Sequence, residues 1–490
     1  MDGFTEIQSG LGAALAANRP GSTVPHVLVA LPSFSVGESL LSHYADRIAA
    51  LEHRYLLAQL MLPRIAHCEL VFISCQAPSR EVLDYYLSLV AADQRASMKA
   101  RLRVLEVPDL SARSVAAKLL DRPDLVKDLR ASLRGRHAHI EPWNVTAAEV
   151  ELAGRLGIPI NGTAPELWPL GFKSSGRRLF AEAGVPVPYG REDVRSVDEV
   201  VDAILDIRAQ RPQATGVVIK TDDSGAGDGN QVLRFGESTD SSQLRADVEA
   251  LPAWYLADLT NGGIVEELIT GSAVTSPSVQ VDISPDGEAV VLATHEQVLG
   301  GPDGQVYLGC RFPARLEYAG QLGRYGEAVG RLLARRGALG RFSVDFMSAL
   351  AVDGGWDVFA LEINLRKGGT THPYAVLRNL AAGHYDVDSG EWLTDEGSPR
   401  HYESTDNLVD PAWRGRPPGE VIQAVAAAGL QFNPATQTGV VLHMLSCLAI
   451  DGRLGLTAIG GSPGEAARLH ATTAEVLTES GFRQFQHAGR

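Results

Sequence analysis

Residues 341–366 read RFSVDFMSALAVDGGWDVFALEINLR. Asp353-Gly354 is a two-residue turn signal between runs that alternate apolar and polar residues, the pattern of a β-hairpin. With those residues at the tip, Asp345 faces Glu362, Val344 faces Ile363 and Phe346 faces Leu361. One face of the hairpin is then apolar, and the other carries Asp345, Glu362 and, two residues on, Asn364. Carboxylates directly opposite one another repel unless a positive charge lies between them. Two carboxylates and an amide oxygen form a ligand set for a hard cation, and Mg²⁺ is usually held by one or two carboxylates plus substrate phosphates. Arg366 projects from the same strand and can reach a phosphate oxygen. The alternative is a solvated polar face on which Arg341 or Arg366 neutralises the pair.

Upstream, GVVIKTDDSGAGDGNQVLRF (216–235) reads as strand, glycine loop, strand. Glycines such as Gly225, Gly227 and Gly229 let backbone N–H groups approach phosphate oxygens. A hairpin context disfavours a dinucleotide or Walker loop, both of which open a helix. Lys220 ends the first strand at the mouth of that loop, and Lys173 opens the preceding helix, KSSGRRLFAEAG. Either lysine alone is equally a solvated side chain. GGIVEELITG (262–271) is a short strand whose main chain could meet a planar base edge. Its adjacent Glu266 and Glu267 face opposite sides. The plain alternative is a charged edge strand.

Before Asn161 the rhythm is β-α-β-α, which predicts a parallel sheet with helices on its faces. Strands are expected at 26–34, 68–75, 101–109 and 137–144, with helices over 38–62, 80–99, 112–134 and 146–156. After Asn161 hairpins dominate: AVVLATHEQVL with QVYLGCRF, and TGVVLHMLSCLAI with RLGLTAI around Asp451-Gly452. PAWRGRPPGE (411–420) reads as a linker. The last helix opens at Ser462-Pro463-Gly464-Glu465 with a capping-box pattern. The expected architecture is α/β and α+β, in four regions: 1–160, 161–262, 263–405 and 406–490.

A net charge of −15 argues against a general nucleic-acid or membrane-surface binder. No apolar run reaches the ~18–20 residues that span a bilayer. The start, MDGFTEIQSG, has no basic or apolar leader pattern, so a cytoplasmic protein is expected. Cys68 and Cys75 bound one strand at an odd separation, so they point to opposite faces and cannot pair. Reduced structural thiols are expected for all four cysteines, Cys310 and Cys447 included.

The order of these pieces resembles the ATP-grasp carboxylate–amine ligases: Lys173, aGVPvP, VVIK ending at Lys220, a glycine hairpin, VEELI, SVDF, then EIN-x-R. The likeness runs through residues 161–375, and the preceding βα region resembles the pre-ATP-grasp domain. EINLRKGGTTHP and the TGVVLHML…DGRLGLTAIG block look most like the peptide ligases of the pheganomycin type. The resemblance implies that Lys173 and Lys220 bind ATP phosphates under a loop containing Ser224, Gly225, Ala226, Gly227 and Gly229. Glu266, Glu267, Leu268 and Ile269 would line adenine and ribose, with Glu267 standing in for a ribose glutamate replaced here by Ala273. Asp345, Glu362 and Asn364 would hold Mg²⁺, or Mn²⁺. Arg366 would lie near the γ-phosphate, with Arg311 or Arg341 as the alternative phosphate arginine. Arg311, Arg366 and His372 are the candidates to orient substrate; His295 and His443 are expected to be structural.

The implied reaction converts a carboxylate to an acyl phosphate and then to an amide with an amino acid or peptide amine. Partners are small-molecule carboxylates and amines or peptides, with no nucleic acid or membrane; a homodimer is among the assemblies open to the chain. A kinase, a carboxylase or a non-catalytic nucleotide sensor would use the same ATP half-site. The 224–230 loop and the C-terminal hairpin are candidate lids.

Overall fold

Strands β1 (His26–Leu31), β2 (Cys68–Ser74), β3 (Leu102–Glu106) and β4 (His137–Pro142) form a parallel sheet in the order β3-β2-β1-β4. Every residue of the central β1 is buried, as a strand covered on both faces requires. Burial pushes the free thiols of Cys68 and Cys75 up to about 12, so both serve as packing groups. The computed structural model describes residues 2–34, 45–224, 229–236, 239–300 and 306–487.

The helix expected over 38–62 is corrected. Its residues up to 44 lie outside the described residues, and the rest is a short helix, Ile48–Glu52, followed by a 3-10 stretch, His53–Met61. Its apolar stripe still works: Leu56, Leu57 and Leu60 are buried with Leu70 and Phe72 of β2. Two short N-terminal helices, Asp2–Gln8 and Leu11–Ala17, were not expected from sequence. The helix Ala147–Leu156 begins with a capping box between Thr146 and Glu149 and ends at Gly157, whose φ of 72° is the left-handed stop.

A second, antiparallel sheet has the order β5-β8-β6-β7, from β5 (Gly190–Arg191), β6 (Gly216–Thr221), β7 (Asn230–Arg234) and β8 (Gly263–Glu267). The helix Val197–Gln210 closes it through Val200, Ile204 and Ile207 against Val217, Ile219 and Val265. Because β8 pairs with β6, a division after residue 262 would separate neighbouring strands of one sheet.

The third sheet is the largest. It begins with β9 (Val274–Thr275), β10 (Pro277–Ile283), β11 (Ala289–Gly300), β12 (Val306–Phe312), β13 (Gly340–Leu350) and β14 (Trp356–Asn364). It continues with β15 (Gly383–Tyr385), β16 (Trp392–Thr394), β17 (Pro399–Val409), β18 (Gly439–His443) and β19 (Arg453–Gly460). The main path runs β14-β13-β10-β11-β12-β17-β16-β15, and β19 joins β17 to β18. The helix Leu316–Arg335 lies against one face. Gly326 permits the close approach, since a Cβ there would lie 2.7 Å from Val279 Cγ1.

The C-terminal strands continue the third sheet. β17 pairs with both β12 and β19, so a division after residue 405 falls inside a strand. The expected linker 411–420 is also corrected: Trp413 is buried, its indole Nε1 donates to the Leu477 carbonyl at 3.2 Å, and a helix begins at Pro418. A 3-10 turn, Leu445–Ala449, lengthens the β18–β19 connection before the Asp451-Gly452 turn. Ser462 caps the last helix at Glu465 N, while the Glu465 carboxylate accepts from Gly461 N at 2.7 Å. No helix among the described residues is long and apolar enough to cross a membrane.

Candidate active site

Hairpin β13–β14 positions the paired carboxylates, but its register has a different origin from the one expected. The tip is Ala351–Gly355, with Leu350 facing Trp356. A bulge then makes Leu361 an extra residue, so Phe346 faces Ala360 rather than Leu361. The longer loop moves the register by one residue and the bulge moves it back. Asp345 therefore does face Glu362, and Val344 faces Ile363.

Asn364 ties the pair together: its Nδ2 donates to Asp345 Oδ2 at 3.0 Å and to Glu362 Oε1 at 3.1 Å. Lys173, the first residue of the helix Lys173–Ala183, forms an ion pair with Glu362 Oε2 and donates to Ser224 O at 3.1 Å. Burial, and then the Glu362 charge, raise the Asp345 carboxyl above the usual carboxylate range. Burial opposes ionisation of Glu362 too, but Lys173 overcomes it and holds that carboxyl low. Glu362 already has a cation in Lys173, whereas Asp345 makes no ion pair among the described residues. An all-oxygen set of this kind fits a hard divalent ion, which would supply charge neutralisation on bound phosphates.

Lys220 stands at the end of β6 and pairs with Glu266 Oε1. The other oxygen of Glu266 is 3.0 Å from Arg177 Nη1, and Glu266 is only 2% exposed. Glu266 is thus a buried clamp between two cations, which corrects its expected place along adenine or ribose. Glu267 is committed as well, accepting from Tyr189 N at 2.8 Å, so it does not stand open for a ribose. The N–H groups of Glu267 and Leu268 are spent on Tyr189 O and Gly216 O. A base edge would therefore be met from half-buried Ile269 onward. Gly225, Ala226 and Gly227 lie outside the described residues. Ser224 Oγ donates to Thr221 O, and Gly229 packs so tightly on Ser224 that a Cβ would lie 2.2 Å from its Cβ.

The three arginines separate. Ser278 and His295 lie in one cross-strand row with Asp345 and share its face. Arg311 pairs with Glu296, one residue along, and so projects from the opposite face. There its Nε lies 3.1 Å from Glu403 Oε2, with the side chain 59% exposed. Arg311 is a surface ion pair and not the phosphate arginine. Arg366 and Arg341 instead line one cleft with Asn144, Asn161 and Thr163. Among the described residues Arg366 makes no ion pair, and its Nη1 donates to Lys367 O at 3.2 Å. Half-buried Arg341 has its Nε 4.0 Å from Asp282 Oδ1, without a hydrogen-bond partner among the described residues. Lys367 anchors the floor of the cleft through Glu141 Oε1 at 2.6 Å.

His372 is not open to substrate, which corrects that expectation. It is buried, with Nε2 2.9 Å from Asp406 Oδ1 and 3.2 Å from His443 Nε2. His295 is structural as expected: its Nε2 meets Tyr402 OH at 2.6 Å, and burial lowers its pKa to about 3.

Sequence reasoning missed Arg177, Ser278 and Asp406. Arg177 left a signal, since it follows Lys173 by one helical turn on the same buried face. Ser278 and Asp406 left none, because only strand pairing brings them to their partners.

Known proteins carry the same elements. Family models match for the pre ATP-grasp domain over residues 71–158, the IQCH-like ATP-grasp over 250–388 and the PGM1 C-terminal domain over 420–473. An L-propargylglycine–L-glutamate ligase of Streptantibioticus cattleyicolor is 32% identical over 420 residues, covering 83% of this chain and 85% of that protein. IQ motif-containing protein H of Danio rerio is 24% identical over 344 residues, 59% of this chain and 32% of that protein. Among solved structures, N5-carboxyaminoimidazole synthetase from Staphylococcus aureus complexed with ADP superposes with a TM-score of 0.51 at 12% identity, over 93% of this chain and 99% of that one. Biotin carboxylase from Campylobacter jejuni gives 0.51 at 14% identity, over 90% and 88%. These two share the fold. Together with the lysine and carboxylate constellation, the comparisons show that the chain belongs to the ATP-grasp ligases and is an ATP-dependent carboxylate–amine ligase.

Proposed function

We propose that this enzyme activates the carboxylate of an amino acid or modified amino acid with ATP and joins it to the amine of a second amino acid or a peptide. The observation that carries the site assignment is the facing pair Asp345 and Glu362, tied by Asn364 and reached by Lys173. Mg²⁺, with Mn²⁺ as the alternative, suits these three oxygen-bearing side chains and would neutralise charge on the triphosphate. Lys173, from the start of its helix, and Lys220, from the second sheet, would hold phosphate oxygens from the other side.

The substrate carboxylate attacks the γ-phosphorus; the bond to the β–γ bridging oxygen breaks, and ADP leaves. The acyl phosphate then accepts an amine at its carbonyl carbon, and phosphate departs. Carboxylate oxygen is a poor leaving group until phosphorylated, so the work of the protein is positioning and charge neutralisation. Arg366, which follows Asn364 closely in the chain, would hold the transferred phosphoryl group. Arg341, which lines the same cleft, would hold a carboxylate that the substrates retain. The relative's L-propargylglycine and L-glutamate are both amino acids, which supports this substrate class.

The test is a panel of amino-acid donors and amine acceptors, read by ADP release and product mass. Amine-dependent ADP release with a product one water lighter than the summed reactants is expected. A phosphorylated or carboxylated product, or nucleotide binding without turnover, would replace this reading.

A further inference from the structure

Away from the nucleotide site, three buried side chains converge on one point. Asp406 Oδ1 lies 2.9 Å from His372 Nε2 and 2.6 Å from His443 Nε2, and the two nitrogens are 3.2 Å apart. The backbone is irregular at two of the three and closely fitted at one. Asp406 sits within the register shift of β17 between Thr405 and Leu408, and bulges re-aim side chains. His443 is followed by Met444 at a φ of 53°, a left-handed conformation that a side chain rarely adopts. The His443 ring lies directly on Gly455, where a Cβ would come 2.1 Å from Nε2.

A hydrogen-bond network alone leaves this arrangement poorly used. Both imidazoles turn the same nitrogen to one carboxylate oxygen, and both Nδ1 atoms are buried without a hydrogen-bond partner. Two imidazoles and a carboxylate are a common ligand set for zinc and its neighbours, unlike the oxygen set at Asp345. Ligands ~2.0–2.1 Å from a tetrahedral ion stand about 3.3–3.4 Å apart, so the three atoms need move only a few tenths of an ångström. The second carboxylate oxygen takes Arg54 Nη1 at 2.7 Å, as the outer partner of a metal-bound carboxylate would. Sharing that charge weakens cation binding, so an affinity in the micromolar range is expected.

We propose that His372, Asp406 and His443 bind a divalent transition metal, zinc by ligand preference, with a water in the fourth position. The ion would clasp the bulge of β17 and the end of β18 to the segment that runs from Arg366 to His372, and so help set Arg366. This assignment is independent of the ATP reading.

Full-length protein, freed of metal by chelator, is titrated with Co²⁺. One equivalent is expected to bind with visible d–d bands of a tetrahedral site, and Zn²⁺ should displace it. The bands should vanish in His443→Gln and His372→Asn and persist in Glu362→Gln. Circular dichroism checks that each variant folds, and nucleotide binding checks it as well for the two histidine variants. Zinc-edge X-ray absorption of the Zn²⁺-loaded native protein should also show two imidazole ligands, which assigns the ligand set without a variant. Absence of bound Co²⁺ or Zn²⁺ at micromolar concentration overturns the proposal. So does binding whose X-ray absorption spectrum shows no imidazole ligand.

Discussion

Glu362 carries two duties, since it faces Asp345 and pairs with Lys173. Glu362→Gln keeps the side-chain size and removes the charge that answers that lysine. ADP formation is expected to fall roughly 100-fold or more, in line with losing one charged group that stabilises a transition state. Thermal stability should change little, and near-normal turnover would remove the metal assignment. The role proposed for Arg341 is in binding, because it lines the cleft beside Arg366 and stands 4.0 Å from the Asp282 carboxylate, too far for a hydrogen bond. Arg341→Gln should raise the KM of one substrate by roughly tenfold, about 1.4 kcal/mol of lost binding, with kcat less affected. Equal losses in kcat and kcat/KM would place Arg341 at the transferred phosphate instead.

Among the elements, the helix Leu316–Arg335 and the β13–β14 hairpin hold the site in opposite ways. The helix supports the sheet from behind by close backbone approach at Gly326. Gly326→Val should cost about 1–3 kcal/mol by overpacking against Val279, read as a lower denaturation midpoint. The 411–420 segment tests how firmly the C-terminal elements are joined to the rest. Trp413→Ala should cost ~3–5 kcal/mol in one cooperative transition, whereas a loose linker would show almost no change. The hairpin and β4 are explained by pattern alone, whereas the bulge at Leu361 is not. It follows from how β14 must bend to pack, and alternation in sequence carries no mark of it.

At the scale of the whole molecule, the N-terminal sheet meets the catalytic sheet at Glu141, which binds Lys367 at 2.6 Å and accepts from Asn161 at 2.9 Å. Burial disfavours the charged carboxylate, but Lys367 prevails and lowers Glu141 from 4.5 to about 2. A depressed carboxyl contributes stability that is fully present above its unfolded value and disappears as pH falls through the folded one. The stability difference between wild type and Glu141→Gln should therefore be constant above about pH 5, then shrink toward pH 2. Chemical denaturation across that range measures it, and a difference independent of pH would show that the pair does not couple the two sheets.

Local pattern determined a great deal here. The βα rhythm and the lysines at the starts and ends of elements follow from alternation and turn chemistry, which act over a few neighbouring residues, whereas Asp345 meets Glu362 because a longer loop and the bulge at Leu361 offset each other. Tertiary structure decided which charges meet. Arg311 went to the wrong face for catalysis, Glu266 became a buried clamp, and Asp406 joined two histidines 34 and 37 residues away in the chain. Those outcomes depend on strand order and, for Asp406, on the bulge in β17. Contacts of that range are settled by the packing of whole sheets, which leaves no periodic trace along the chain.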